Sequence, residues 1–596
     1  MVTRRAFSKY LCASACAAWA APYPHGITRG PAPARNESAA PWWKTGILYQ
    51  IYPRSFQDSN GDGIGDFQGM ISRLGHLKDL GVSAVWINAC FDSPNADNGY
   101  DVRDYRRIHA DFGTMDDFEH FMAVARKLNI RVIFDMVFNH SSDEHEWFKQ
   151  SRSSRTNPYR DFYFWRDPLS GGPPNNWPSF FGGSGWQYDE ATAQYYLHHY
   201  SKKQPDLNWE NPKVRRELYS VLNFWAGKGV SGFRFDCIGE ISKPLPFRNM
   251  TPDELKDDGN ALRTSGPRLD EYLKEMRAAT HAYPELYFVG EGWGMPREEI
   301  IRATDDRNKE LNSAFRFDFH LHDIAEGWRR VPWSLQKLRE FSAENSFQDN
   351  VHVWPLVFLE DHDFARSVSR FGSDRPEFRS RSAKLLATLL FSLRGTPLIY
   401  QGEELGMTNF PFTDISQYDD IGVHNLWRDL VESGQVPAAE YLRDNAFTSR
   451  DNSRTPMQWD ASRNAGFTRA DKPWLAVNPN YTEINVQGES REQGSVLSFY
   501  RDMIRLRQSS EVLVFGSYRD LSGKDPHVYS YARADSFKQL VVVLNFSNEA
   551  VEFHLPSDIV LKRRIISNMP GDQSVSTSPI HLLPWQSAIF ESIHIP

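Results

Sequence analysis

The stretch Gly232-Phe233-Arg234-Phe235-Asp236 decides the fold of this chain. It is a short apolar run that carries one arginine and ends on a carboxylate. In an extended strand residues i and i+2 face the same side, so Arg234 and Asp236 point together while Phe233 and Phe235 turn away to pack. The run is one of eight. Comparable apolar stretches stand at 47–52, 84–89, 132–138, 232–237, 287–290, 314–319, 355–359 and 397–400. Most show little internal alternation, as strands buried on both faces do. Amphipathic segments separate several of them; within 116–128, Phe118, Phe121, Met122 and Ala125 share one helical face. Eight strand–helix repeats predict an α/β fold, a (β/α)8 barrel, with its functional residues at the C-terminal rim of the strands.

Two intervals are too long for simple crossovers. Residues 141–210, rich in Trp, Tyr, Gly and Pro, predict a small domain inserted after the third strand. Residues 406–494 predict an elaborated loop after the eighth, ahead of a helix carrying Val496, Phe499, Tyr500, Met503 and Ile504 on one face. The barrel is therefore expected over 42–140 and 211–515. From 516 to 596 the pattern changes to β-branched and aromatic runs at 528–533, 540–546, 551–555 and 588–595. Polar turns separate them, and an all-β sandwich domain is expected.

The N-terminus has a twin-arginine pattern, Thr3-Arg4-Arg5-Ala6-Phe7-Ser8-Lys9, then an apolar stretch over 10–21 with Ala18-Trp19-Ala20 as a cleavage site. That stretch is shorter than the roughly 20 residues needed to span a bilayer. Residues 1–21 are expected to be an export signal to the periplasm, and 22–41, rich in Pro, Ala and Gly, a disordered leader. Cys16 after Ala13-Ser14-Ala15 leaves lipoprotein anchoring as a minor alternative. No other segment predicts a membrane span.

The 596-residue chain carries a net charge of −8, which argues against a nucleic-acid or anionic-membrane partner. Of its 4 Cys, Cys12 and Cys16 fall in the expected signal. Cys90 and Cys237 end apolar runs, read as buried thiols, and have no disulfide-scaffold or zinc spacing. A monomer without an organic cofactor is expected.

Three runs end in carboxylates. Asp236 has Arg234 beside it, and a guanidinium lowers a carboxylate's pKa, which suits a nucleophile. Glu291 lies in FVGEGWG (Phe288–Gly294), where Gly290, Gly292 and Gly294 permit close approach of a substrate. Trp293 beside it is expected to desolvate the carboxyl and favour a general acid. Asp363 closes LEDHD (Leu359–Asp363) next to His362, and His140 closes DMVFNH (Asp135–His140). Carboxylates on three strands at one rim match the cleavage of a glycosidic bond, in which one attacks, one protonates and others hold the sugar.

A separate loop, Asp58-Ser59-Asn60-Gly61-Asp62-Gly63-Ile64-Gly65-Asp66, places oxygens at positions 1, 3 and 5 and Gly at 6, as a calcium loop begins. Gly69 stands where the closing Glu belongs. One structural divalent cation, calcium first and magnesium second, is expected on Asp58, Asn60, Asp62, the Ile64 carbonyl and Asp66.

Taken together these strings resemble glycoside hydrolase family 13, the α-amylase family, from Trp42 to the C-terminus. DMVFNH, GFRFD, GEGWG and the DHD of LEDHD look like its four main regions in order. QPDLNW (Gln204–Trp209), NADNGYD, RGTPLIYQGEELGM and SRDNSRTPMQW are similar to its oligo-1,6-glucosidase subgroup, which also holds dextran glucosidases, α-glucosidases and sucrose isomerases. The resemblance implies Asp236 as nucleophile, Glu291 as general acid/base and Asp363 as transition-state stabiliser. It implies that Arg234, His140 and His362 line the site of the cleaved glucose, that Asp97, Tyr100 and Arg450 recognise its non-reducing end, and that Trp293 contacts substrate. Retention through a covalent glucosyl-enzyme is expected with it.

The chain departs from the pattern in places. Asp361 precedes His362 where the family usually has Asn, and an extra carboxylate there raises neighbouring pKa values. Cys237 follows the nucleophile where α-1,6-selective members usually have Val and many α-1,4-selective members have Ala or Thr. Trp293 matches dextran glucosidases, whereas sucrose isomerases usually carry Phe. The stretch 317–323 lacks the arginine cluster by which sucrose isomerases are thought to hold fructose. A retaining exo-α-glucosidase for short α-glucosides, isomaltose favoured, is therefore expected ahead of a sucrose isomerase. A non-catalytic glycan-binding relative would be expected to have lost the carboxylates, and all three stand.

Overall fold

The computed structural model describes residues 40–256, 260–570 and 579–594. The expected export signal, and all but the last two residues of the expected leader, lie outside the described residues. The eight apolar runs form the strands of one parallel sheet: β1 (Leu48–Ile51), β2 (Ala84–Ile87), β3 (Arg131–Val137), β4 (Gly232–Asp236), β5 (Tyr287–Glu291), β6 (Ser313–Phe315), β7 (Leu356–Val357) and β8 (Thr396–Tyr400). Hydrogen bonding runs in the order β6-β5-β4-β3-β2-β1-β8-β7. The two ends, β6 and β7, lie side by side, and the Phe315 and Phe358 rings meet edge-on at 5.1 Å across the seam. The sheet is thus a nearly closed barrel. Its strands are buried almost throughout, Arg131 at the start of β3 being exposed, which is why their sequences run apolar without alternation.

The helices follow the expected periodicity. Helix Met115–Lys127 buries Phe118, Phe121, Met122 and Ala125. It starts at Thr114 with a capping box, in which Thr114 and Asp117 satisfy each other's backbone N–H groups. Helix Val496–Gln508 buries the five residues read from sequence together with Leu497 and Arg507.

Three excursions shape the rim. After β3, a three-stranded antiparallel sheet (Trp165–Arg166, Gln194–Leu197, Trp186–Asp189) packs around Phe164, Trp177, Trp186 and Met250. A backbone bridge between His140 and Asp206 pins its exit to its return. After β6 the chain leaves the strand at Phe315, so Phe317 and Phe319, expected within the run, lie beyond it. After β8, helices Ile421–Leu426 and Ala438–Thr448 pack on Trp328 and carry the chain to Arg450.

The C-terminal region pairs a five-stranded antiparallel sheet with a two-stranded one over a shared core that includes Val541, Val543, Phe553 and Ile580. Three of its strands, Ser517–Asp520, Ile559–Ser567 and Ile580–Leu582, lie outside the runs expected from the sequence. Ile559–Ser567 is an edge strand broken by two bulges around Lys562-Arg563-Arg564, a charged edge of the kind that prevents further pairing. Among the described residues no helix is long and apolar enough to cross a membrane.

Candidate active site

Arg234 organises the rim. The β3–β4 register places Asp135 directly beside it, and β5 brings Glu291 to its other side. Its Nη1 donates to Asp135 at 2.9 Å and to Asp236 at 2.6 Å, and its Nη2 lies 3.0 Å from Oε2 of Glu291. All four side chains are buried. One cation therefore serves three carboxyl groups, too few for all to stay ionised away from water. Glu291 gives way first. Burial pushes it up to about 8; Arg234 and the Cys237 amide work against that shift, while Asp236 and Asp363 add to it. Asp236 was expected to be held low by Arg234. Burial instead outweighs the guanidinium and raises it to about 6, so at neutral pH Asp236 is mostly ionised and Glu291 mostly protonated. Among the described residues no donor is recorded on Oε1 of Glu291, whereas Oε2 accepts from Arg234 and from the Cys237 amide at 2.8 Å. Oε1 is therefore the oxygen left to carry the proton.

A second cationic knot holds Asp363. Arg450 and Arg454 each reach its Oδ1 at 3.1 Å, and His362 Nε2 lies 3.2 Å from Oδ2. Burial opposes ionisation here, but His362, Arg450, Arg454 and Arg234 hold the carboxyl well below the usual range. His362 is itself driven far down by burial, so the arginines carry this effect. Arg450 also pairs with Asp97 at 3.3 Å and with Asp420 at 2.9 Å, and Gln204 donates to Asp97 at 3.2 Å. Tyr100 joins the two knots: its hydroxyl meets Asp135 at 2.9 Å and His362 Nε2 at 2.6 Å, and its ring stacks on His362. His140 bonds the Tyr100 carbonyl at 3.0 Å. The candidate substrate groups Asp97, Tyr100, His140, Arg234, His362 and Arg450 thus form one connected network with the three carboxylates. Trp293 stands apart from it, packing on Phe180 and Phe317; the high pKa of Glu291 comes from burial and neighbouring charge.

At Asp361 the protonated form is favoured. Burial and the adjacent Asp363 push its carboxyl well above the usual range, while its Oδ1 accepts the Asp363 amide at 2.8 Å. Glu291 adds to the same upward push on Asp361, and Arg234 opposes it. Asp135, Gln204, Asp420 and Arg454 are network members that the sequence reading passed over. Asp135 and Gln204 lie inside quoted motifs, DMVFNH and QPDLNW, and Arg454 is four residues after Arg450 in SRDNSRTPMQW. Asp420 has no motif; only the fold of the loop after β8 brings it in.

The Asp58–Asp66 loop packs against 466–468, where Thr468 donates to Asp58. Asp58 accepts the Gly61 and Gly63 amides at 2.7 and 2.8 Å, and both glycines have positive φ, 87° and 92°. Asp66 caps the helix Phe67–Leu80. The donor set is all oxygen, which fits a hard divalent cation. Asp58 and Asp66 already spend their oxygens on the Gly61, Gly63, Ser59 and Gly69 amides and on the Thr468 and Ser59 hydroxyls, so a cation would draw also on Asn60 and the Ile64 carbonyl.

Residues 50–516 match the family model described as the alpha amylase catalytic domain. The chain is 45% identical to the oligo-1,6-glucosidase of Parageobacillus thermoglucosidasius, over 93% of this chain and 99% of that one. It is 42% identical to the glucan 1,6-alpha-glucosidase of Streptococcus pneumoniae serotype 4, over 92% and 99%. The solved trehalulose synthase MutB of Pseudomonas mesoacidophila superimposes with a TM-score of 0.91 at 47% identity, covering 93% of this chain and all of that one. With its barrel, its carboxylates and these relatives, the chain belongs to the α-amylase family and is a glycoside hydrolase.

Proposed function

We propose that the chain is a retaining, exo-acting α-glucosidase for short α-glucosides, with α-1,6 links such as isomaltose favoured. One observation carries the reaction class. An oxygen of Asp236 and an oxygen of Glu291 lie within 4.8 Å of each other. With both carboxyls also sharing the Arg234 guanidinium, that closeness supports a double displacement, for which the carboxyls stand about 5–5.5 Å apart. Ionised Asp236 attacks the anomeric carbon, and the proton on Oε1 of Glu291 passes to the departing oxygen as the glycosidic bond breaks. Glu291, now ionised, takes a proton from water as that water attacks the glucosyl–Asp236 ester. The free enzyme is regenerated with its proton back on Glu291. Asp363, kept ionised by arginines, stabilises the positive charge that develops on the ring. The Asp97–Arg450–Asp420 ion pairs close the pocket behind the non-reducing glucose, which gives exo action.

The linkage preference rests on relatives named for 1,6-glucosidase activity. Sucrose isomerisation is the second reading, because solved trehalulose and isomaltulose synthases are equally similar. Against it, Phe317–Asp323 has no arginine; His320 in that stretch is buried on Phe358. The next arginines are engaged elsewhere, Arg329 with Glu440 and Arg330 over Phe447. The test is to incubate the mature protein with isomaltose, maltose, trehalose and sucrose and separate the products. Glucose from isomaltose is expected; trehalulose or isomaltulose from sucrose would reject the hydrolase reading.

The same reading includes a calcium or magnesium ion on Asp58, Asn60, Asp62, Ile64 and Asp66 that braces the loop against 466–468, and periplasmic export by the twin-arginine segment. Chelation is expected to lower the melting temperature and added calcium to restore it.

A further inference from the structure

Beside Glu291 stand four buried polar side chains that the proposed reaction does not use: Cys237, Tyr200, Glu240 and His199. Cys237 follows the nucleophile in a left-handed conformation, φ 43° and ψ 41°. That region is strained for a non-glycine residue, and such residues persist where their surroundings over-determine them. The conformation aims the Cys237 amide at Oε2 of Glu291, 2.8 Å away, with the thiol 3.5 Å from the same oxygen.

The turn that Cys237 begins is clasped from outside. Its carbonyl accepts the Glu240 amide at 2.9 Å. The Tyr200 hydroxyl, delivered by the inserted domain, touches both residues. It donates to Oε1 of Glu240 at 3.1 Å and meets Cys237 Sγ at 2.6 Å. Glu240 is fixed from its far side by His199 Nδ1 at 3.0 Å. The same segment is anchored by Lys243, which donates to the Glu240 carbonyl at 2.8 Å and pairs with Asp206 at 3.0 Å. A continuous set of contacts therefore runs from the inserted domain to one oxygen of Glu291.

We propose that Tyr200, braced by Glu240 and His199, is a positioning residue for the acid/base: through Cys237 it holds Oε2 of Glu291, so that the protonated Oε1 faces the departing oxygen. This rests on Glu291 acting as the acid/base. The Tyr200 ring also packs on His140, Phe180 and Phe181, so Tyr200→Phe removes the hydroxyl and keeps the ring.

The test compares kcat/KM for isomaltose and for 4-nitrophenyl α-glucoside. A nitrophenolate departs with little protonation, whereas a sugar alkoxide needs the proton, so misplacing the acid penalises isomaltose selectively. In Tyr200→Phe the isomaltose-to-nitrophenyl ratio is expected to fall about tenfold, within the range general acid catalysis contributes. Glu240→Gln, which still accepts from Tyr200, is expected to keep the ratio within about threefold of wild type. An equal fall for both substrates, or an unchanged ratio, in Tyr200→Phe would overturn the proposal. If Tyr200→Phe does not fold, Cys237→Ala must show the same selective fall, and an unchanged ratio there overturns it equally. Glu291→Gln is measured alongside. If it keeps the wild-type ratio, the acid/base reading itself fails; if its ratio collapses while that of Tyr200→Phe does not, only the present inference fails.

Discussion

The two sides of the candidate site are built on different principles. Around the proposed glucose site, buried and partly buried charges answer one another: Arg234 with Asp135, Asp236 and Glu291, and Arg450 and Arg454 with Asp363, Asp97 and Asp420. On the leaving-group side, Cys237, Tyr200, Glu240 and His199 form a hydrogen-bonded chain bordered by the rings of Phe180 and Trp293. On the proposed reading, the charged side sets which carboxyl attacks and which donates the proton, because it decides which is ionised and which keeps its proton. The hydrogen-bonded side sets where that proton points and what sits beyond it. A change on the first side should cost chemistry on every substrate, and a change on the second should discriminate between substrates.

The largest break is expected at the charged side. Asp236→Asn should lower kcat by at least about a thousandfold on every α-glucoside while leaving the melting transition in place; near-normal turnover would remove Asp236 from the chemistry. Next is Arg450→Ala, which strips a shared partner from Asp97, Asp363 and Asp420. A loss of about a hundredfold in kcat/KM is expected from uncovering buried charges, and steady-state kinetics on isomaltose reads it. The pH profile tests the same side without a substitution. Activity needs Asp236 ionised and Glu291 protonated, so kcat/KM should fall as pH drops below about 6 and as it rises above about 8. These limbs belong to the coupled pair. A profile still rising well above the upper limb would contradict a protonated Glu291. The smallest effect is expected at Asp361. A neutral carboxylic acid there resembles asparagine, so Asp361→Asn should change kcat/KM at neutral pH by less than about threefold. A large change would mean that the residue carries a working charge.

The charged side was legible in the sequence because strand geometry and motif coincide. Arg234 and Asp236 share a face by the two-residue period, and β3 and β5 end on the same rim. The pKa order was not legible. Arg234 was read as the private partner of Asp236, and only the register, which sets Asp135 beside it, and the approach of Glu291 show the cation divided among three. Likewise Asp361 reads as an extra charge, and burial makes it neutral. The leaving-group side was largely illegible. Tyr200, His199 and Glu240 fall in none of the motifs quoted from the sequence. Their convergence on Cys237 depends on how that domain returns to the barrel. In the C-terminal sheet the missed strand Ile559–Ser567 failed for another reason: an edge strand with bulges has neither period two nor continuous apolarity.

On the proposed reading Asp236 carries the sugar while Glu291 manages the proton. Its most direct test is mass spectrometry of the Glu291→Gln protein after exposure to α-glucosyl fluoride, whose leaving group needs no acid. An adduct of one anhydroglucose is expected on the peptide containing Asp236. An adduct on another carboxylate, or free turnover of isomaltose by this variant with no adduct, would contradict it.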